Sequence, residues 1–274
     1  ATSQGKAGVP MKVETAIHPP HIQDIPVAAR RAEDVGFESI AVPETNRDAF
    51  LAAGLAATGT SHARLATSVA LAFPRSPMVT AQVAWDLAAQ SNGRFVLGLG
   101  TQVRQHITKR FSTEWSAPVP RLREYIESLR AIWSSFQTNA PLRYGGEHYR
   151  FTLMTPFFNP GPIEHPDIPI YIAGVNEGLC RLAGETCQGF HVHSFHTVRY
   201  LKKLVIPSIA EGAAKTGRDP KGCALNCAIF VVTGRSEEEM RSNAVFVRSQ
   251  IAFYASTPSY RAVMDMHGWG DLAE

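Results

Sequence analysis

Residues 11–21 read Met11-Lys12-Val13-Glu14-Thr15-Ala16-Ile17-His18-Pro19-Pro20-His21, an alternating apolar stretch that runs directly into a turn of histidines and prolines. The alternation predicts a strand over 11–17. The turn after it decides the fold. An open sheet of the dinucleotide-binding kind leaves its first strand through glycines, so that backbone amides can reach a pyrophosphate. Pro19 and Pro20 have no amide to offer.

Outward from this turn, strand-like segments at 39–43, 64–71, 95–98, 168–173, 189–193 and 224–232 alternate with helical periodicities at 24–35, 49–59, 77–91, 120–136, 177–186, 198–216 and 237–255. Several of the strands are almost wholly apolar, as a parallel sheet covered on both faces requires. Strict alternation of strand and helix leaves an open doubly wound sheet or a closed barrel. With no glycine turn after the first strand, the expected fold is α/β, a (β/α)8 TIM-type barrel forming a single domain over 1–274.

The connection between the fourth and fifth strands is the longest, with non-helical stretches at 101–119 and 139–166. Within the second, Arg143-Tyr144-Gly145-Gly146-Glu147-His148-Tyr149-Arg150-Phe151 places aromatics on either side of a glycine pair and predicts a β-hairpin. The track that follows carries Pro156, Pro160, Pro162, Pro166 and Pro169, too rigid for a helix, and is expected to lie over the top of the barrel as an insertion. Seven strand-sized segments can be found, so the eighth strand is expected to be missing from this chain, with the native polypeptide continuing past Glu274. The other reading is that the N-terminal residues or the 139–166 insertion supply the missing edge.

Of the 274 residues, 45% are apolar and 19% charged, which is enough for a large core and shows no sign of disorder. The 27 basic and 24 acidic side chains leave a net charge of +3, and no stretch concentrates Lys and Arg with interleaved aromatics, so nucleic acid is not an expected partner. No apolar run approaches the ~18 residues of a membrane span, and residues 1–10 carry no apolar leader core, so the expected location is cytoplasmic. Cys180, Cys187, Cys223 and Cys227 form no CxxC pair and read as ordinary buried thiols.

In a barrel the reactive groups sit at the C-terminal ends of strands. Those ends carry His18 and His21, then Glu44-Thr45-Asn46, then Ser68-Val69-Ala70-Leu71, Gly98-Leu99-Gly100-Thr101-Gln102, Ala173-Gly174-Val175-Asn176 and His193-Ser194-Phe195-His196. Glycines and small residues at these positions let backbone approach a flat ligand. Together with Gly36-Phe37-Glu38-Ser39-Ile40-Ala41-Val42-Pro43-Glu44, Ala66-Thr67-Ser68-Val69, Asn92-Gly93-Arg94-Phe95-Val96-Leu97-Gly98-Leu99-Gly100, Tyr144-Gly145-Gly146-Glu147-His148-Tyr149 and Pro169-Ile170-Tyr171-Ile172-Ala173-Gly174, the chain resembles the luciferase-like monooxygenase family. Within it, the closest resemblance is to actinobacterial oxidoreductases that use the deazaflavin coenzyme F420, over about 11–269.

The resemblance implies a TIM-type barrel, hydride transfer to or from the deazaflavin, a small-molecule substrate and usually a homodimer. It also implies a non-prolyl cis peptide at Ser68-Val69, whose bulge supports the cofactor ring. Carried over position by position, Ser68, Val69, Ala70, Thr101, Gln102, His106, Ala173, Gly174 and Val175 are candidate cofactor-binding residues, and Glu44 and His193 candidate catalytic ones. Glu44 stands where relatives commonly have Asp, and Thr45 where some place a catalytic His. Val103 stands where sugar-phosphate-oxidising relatives carry an acid, so a phosphorylated sugar is not expected. The amides opening the helix after Val175 suit a cofactor phosphate. Phe73, Trp115, Phe157, Phe158 and Phe195 are expected to line an apolar substrate pocket. FMN in place of coenzyme F420 is the alternative, which would exchange hydride transfer for oxygen activation. A cofactor-binding barrel without catalysis is a further alternative. A metal-dependent hydrolase is the rival from another class, because His191-Val192-His193 puts two imidazoles on one strand face, but no acid follows the seventh strand and no metal site is expected.

Overall fold

The computed structural model describes residues 11–273. Ten strands form: β1 (Glu14–Ala16), β2 (Ser39–Val42), β3 (Arg64–Thr67), β4 (Ala70–Leu71), β5 (Phe95–Gly100), β6 (Tyr144–Gly145), β7 (Arg150–Phe151), β8 (Ile170–Gly174), β9 (Gly189–Val192) and β10 (Ala224–Cys227). The helices are α1 (Ile25–Val35), α2 (Ala49–Gly59), α3 (Pro77–Gln90), α4 (Pro118–Thr138), α5 (Glu177–Thr186), α6 (Val198–Tyr200), α7 (Ile206–Lys215), α8 (Glu237–Ala255) and α9 (Arg261–Asp265), with a π-turn Leu201–Val205 joining α6 to α7. The main sheet runs β1-β2-β3-β5-β8-β9-β10 with every neighbour parallel, and β4 continues β3 after a break and pairs with β5. Each predicted barrel strand is present, and the curled parallel sheet with its outer helices is that of a TIM barrel.

Side-chain alternation gives the sheet two surfaces. Ile40, Val42, Leu65, Phe95, Leu97, Leu99, Ile170, Ile172, Phe190 and Val192 belong to one buried core shared with Trp85, Tyr125, Ile126, Leu129 and Phe136 of the helices. The alternate residues, Ala41, Ala66, Gly98, Gly100, Ala173 and His191, face the barrel axis. Small side chains there are a steric requirement in at least one place. A Cβ on Gly98 would lie 1.9 Å from the Thr67 carbonyl oxygen and 2.7 Å from His191 Nε2.

The motifs at the lower end of the barrel are structural. The Asn92-Gly93 pair turns left-handed, at φ 53° and 76°, and delivers Arg94 to the carbonyls of Thr60 and Ala63. Glu33, buried at the end of α1, accepts the amides of Ser61, His62 and Ala63 at 2.7–3.1 Å. Burial alone would raise its pKa, but those amides outweigh it and bring it down to about 2. The hairpin is built the same way. Glu124 accepts the amides of Glu147, His148 and Tyr149, and a Cβ on Gly146 would fall 2.2 Å from its Oε2, so the glycine pair serves this carboxylate.

The proline track departs from expectation. It runs down the outside of α3 and α4 to the lower end of the barrel and does not cover the top. Trp85 donates to the Gly161 carbonyl at 3.1 Å, Gln137 brackets Ile163 through both its amide atoms, and the Gly93 turn abuts His165. The physical reason is that the buried indole N–H and the C-terminal end of α4 need partners that this strap supplies. β6 and β7 pair with each other alone, so the insertion does not fill the barrel edge.

Among the described residues the barrel has seven strand positions. The facing edges, β1 and β10, are bridged by a side-chain bond from Asn226 Nδ2 to Glu14 Oε1 of 2.6 Å. Met240, Val245, Phe246, Ile251 and Phe253 of α8 are exposed, and the helix buries no residue. Cys180, Cys187 and Cys223 are buried, as expected, and burial pushes their thiols up to about 12, 12 and 11. Cys227, by contrast, is exposed. No helix among the described residues is long and apolar enough to cross a membrane.

Candidate active site

The break between β3 and β4 is the centre of the upper face. The Ser68-Val69 peptide is cis, at the position expected from the sequence. Ser68 N–H is held by the Val42 carbonyl at 2.9 Å, and Ala72 N–H by the Gly100 carbonyl at 2.9 Å. Between these anchors Val69 leans onto β5, where a Cβ on Gly100 would sit 2.5 Å from its Cγ2. The bulge therefore needs a glycine opposite it.

Glu44 holds this segment from the outer side. Its Oε2 accepts Leu71 N–H at 2.7 Å and Arg75 Nη1 at 2.9 Å, and its Oε1 accepts Arg75 Nη2 at 2.6 Å. Arg75 also reaches Asp48, the N-cap of α2, at 2.6 Å. Continuing the alternation of Ile40 and Val42, the Glu44 carboxylate faces the helices, with its side chain 7% exposed. Both its oxygens are occupied. Arg75 is the group sequence reasoning missed, because its partner stands 31 residues away with no local pattern to announce it.

Thr101 and Gln102 follow β5 and are half-buried, and Gln102 is left-handed at φ 58°. His106 opens a π-turn and is exposed, while Arg110 from the end of that turn donates to the Thr45 carbonyl and ties this loop to the one after β2. Ala173 and Gly174 end β8, Ala173 level with Gly100 and Gly174 one position beyond, since Leu99 pairs with Ile172. The carbonyl of Val175 takes the Tyr200 hydroxyl. Asn176 leaves the first amides of α5 without a side-chain cap, and the acid in that first turn, Glu177, is paired to Arg181 at 2.6 Å. The structure thus brings Ser68, Val69, Ala70, Thr101, Gln102, Ala173, Gly174 and Val175 to consecutive strand ends on one rim.

His193 extends the inward parity of His191 at the end of β9. Its Nδ1 accepts the Phe195 amide at 3.1 Å, and its ring stacks on Tyr260 with centroids 4.4 Å apart and lies edge-on to Tyr254 at 4.5 Å. Burial, reinforced by His196, pushes its pKa down to about 4, so the ring is neutral near pH 7. Tyr254 and Tyr260 come from the end of α8 and the turn after it, beyond any motif that sequence reasoning used.

The expected aromatic pocket is only partly assembled. Phe195 joins the His193 cluster, 6.1 Å from Tyr260. Phe73 is buried against Trp115 and beneath Arg121, and Phe157, on the strap, is 89% exposed with Phe158 beside it. The prolines carry that pair down the outer wall, away from the rim. His191 and His193 share an inward face as the HxH pattern predicts, but His191 wedges against Gly98, its Nε2 without a hydrogen-bond partner. No cluster of three His, Cys, Asp or Glu able to hold a metal occurs among the described residues.

Residues 4–274 match the model of the luciferase-like monooxygenase family. The chain belongs to that family. An uncharacterised protein of Mycobacterium tuberculosis is 43% identical over 245 residues, covering 89% of this chain and 72% of the relative. An F420-dependent glucose-6-phosphate dehydrogenase of Nocardia farcinica is 32% identical over 176 residues, covering 62% of this chain and 50% of its own length. Among solved structures, the coenzyme F420-dependent tetrahydromethanopterin reductase of Methanopyrus kandleri superposes with a TM-score of 0.76 over 94% of this chain and 75% of that one, at 20% identity. The family assignment rests on the sequence matches, and the structural likeness supports the barrel.

Proposed function

We propose that this family member is an oxidoreductase that transfers a hydride between coenzyme F420 and an apolar organic substrate. The observation that carries the reading is the Val69 bulge over Gly100, a ridge of backbone and one branched side chain that would back a flat ring without polar groups to compete for it. Ser68, Val69 and Ala70 would support the ring, Thr101, Gln102 and His106 flank it, and Ala173, Gly174 and Val175 lead to the free amides of α5, which favour a phosphate. When bound, the deazaflavin supplies or accepts the hydride. The chain's own residues orient the ring, exclude water from one face of it and hold the bulge in place.

Glu44 acts here through position. With Leu71 N–H and Arg75 on its carboxylate, it pins the strand that leaves the bulge. Glu44→Gln exchanges a charge-assisted pair for a neutral one, and about 1.5–3 kcal/mol of such bonding is at stake. The expected outcome is a lower melting temperature together with roughly tenfold weaker cofactor binding, read by tryptophan fluorescence titration. A variant with full affinity and slowed turnover alone would return Glu44 to a chemical role. The same titration on the wild-type protein tests the main reading. Coenzyme F420 is expected to bind and FMN not, and tight FMN binding without F420 binding would overturn it in favour of the FMN-dependent monooxygenase.

The reading includes a homodimer. α2 contains no charged residue, and Leu51 and Val79 are 56% and 54% exposed beside a groove of about 680 Å³ between α2 and α3. A helix apolar on all sides needs cover on all sides. Light scattering is expected to give twice the 29.9 kDa chain mass, and a monomer at micromolar concentration would sink this element.

A further inference from the structure

We propose that residues 103–111 form a lid over the upper rim, hinged at Gln102 and Ser112 and latched by Arg110, which opens to admit the cofactor and closes over it. The segment leaves the C-terminal end of β5, and Arg110 Nη2 donates to the Thr45 carbonyl, in the loop after β2, at 2.5 Å. In the sheet, β3 lies between β2 and β5, so this bond reaches across the end of β3, where residues 68 and 69 leave the strand. Two strand spacings, about 10 Å, are bridged in this way. A ring backed by Val69 would be roofed by the segment.

The segment is built as a separate unit. The amides of His106 and Ile107 donate to the Val103 carbonyl, that of Phe111 to His106 and that of Thr113 to Ile107, at 3.0–3.2 Å, so these backbone bonds close on the segment itself. From Val103 to Arg110 only Ile107 is buried, a single apolar plug seated in the core, with Phe111 half-buried behind it. Both ends are left-handed, Gln102 at φ 58° and Ser112 at φ 53°. The other non-glycine residues with positive φ among the described residues are Asn92 and Asn139, and asparagine tolerates that region. Gln and Ser occupy it at a cost, and a residue that can rotate back to a populated region serves as a hinge. Closure therefore sets two unfavourable dihedrals against one plug and one latch, which keeps the open and closed states close in free energy. His106, exposed on the segment, travels with it. The gating role rests on the cofactor reading of the rim, whereas the hinged unit itself does not.

The test places a thiol on the plug. In an Ile107→Cys/Cys227→Ser protein the other cysteines, Cys180, Cys187 and Cys223, are buried and report unfolding of the barrel, so they are the internal control. Toward a thiol-reactive disulfide reagent, the thiol introduced at position 107 should react at least about 100-fold faster than those three. Adding Arg110→Met should quicken its reaction about fivefold. Ser112→Val should do so about tenfold, because a β-branched residue resists the left-handed region, and Ser112→Asn should leave it within about twofold. Ser112 is exposed, so these changes act through the backbone. Saturating coenzyme F420 should slow the reaction about tenfold or more. Reaction in step with the three buried thiols, rates indifferent to Arg110→Met and Ser112→Val, or bound F420 that gives no protection would each overturn the lid. A second measurement needs no added cysteine. The rate of F420 association with the wild-type protein, followed by tryptophan fluorescence, should level off as its concentration rises, and Arg110→Met should raise the plateau about fivefold. A rate that climbs linearly in both proteins would overturn the gating. Failure of F420 to bind, with the introduced thiol still opening ahead of the buried three, would instead remove the hydride-transfer reading and leave the lid standing.

Discussion

Gly98→Ala should abolish the native barrel or lower its melting temperature by about 10 °C, the equivalent of about 3 kcal/mol or more. The new methyl would stand 1.9 Å from the Thr67 carbonyl oxygen, and Thr67 cannot retreat. Its hydroxyl donates to the Gly98 carbonyl at 2.7 Å and accepts the Gly98 amide at 2.9 Å, so the two residues are bracketed together. The second neighbour, His191 Nε2 at 2.7 Å, is packed in the barrel interior. Removing that imidazole in a Gly98→Ala/His191→Ala double variant is expected to recover little, because the backbone clash remains. Gly222→Ala is the matched control. Nothing lies within 4 Å of its added methyl, and its melting temperature should change by less than about 1 °C. Thermal unfolding followed by circular dichroism reads all three, and a Gly98→Ala protein as stable as the control would show that the strand spacing relaxes freely.

Glu33→Gln should cost about 2 kcal/mol at neutral pH, and the cost should vanish in acid. Three amides converge on this carboxylate, which an amide side chain can satisfy only with one oxygen. The pH dependence has a definite sign. The folded-state pKa, about 2, lies below the ordinary 4.5, so the contribution is complete above pH 4.5 and is lost as pH falls through about 2. Other carboxylates titrate in the same range, among them Asp48 and Glu124, both lowered in the folded protein. The informative quantity is therefore the difference between wild type and variant. Melting temperatures from pH 7 to pH 2 should converge downward, and a gap that stays constant to pH 2 would mean that the loss is one of shape, not of charge.

Much of the barrel was legible in the chain because its two periods differ and because its turns carry their own chemistry. The helices at 49–59, 177–186 and 237–255 begin and end where the periodicity places them. The break at Ser68-Val69 was legible only through family resemblance, since nothing in Thr67-Ser68-Val69-Ala70 demands it locally. The partners that surround it were not legible at all. Arg75 meets Glu44 across 31 residues, and Tyr260 meets His193 across 67. The strap was misplaced because prolines specify stiffness but not direction. What set its course was the indole of Trp85 seeking a carbonyl, 76 residues away.

By itself, the sequence determined that this is a parallel α/β barrel of the luciferase-like family with small residues at its strand ends, because side-chain alternation, helical period and proline turns are local properties. Only the tertiary structure decided what those strand ends do. It turned Glu44 outward onto Arg75, stacked Tyr260 on the ring of His193, and set Val69 against Gly100. The reason is that hydrogen-bond partners and close contacts are chosen by the closure of the sheet, which joins residues that no short-range pattern connects.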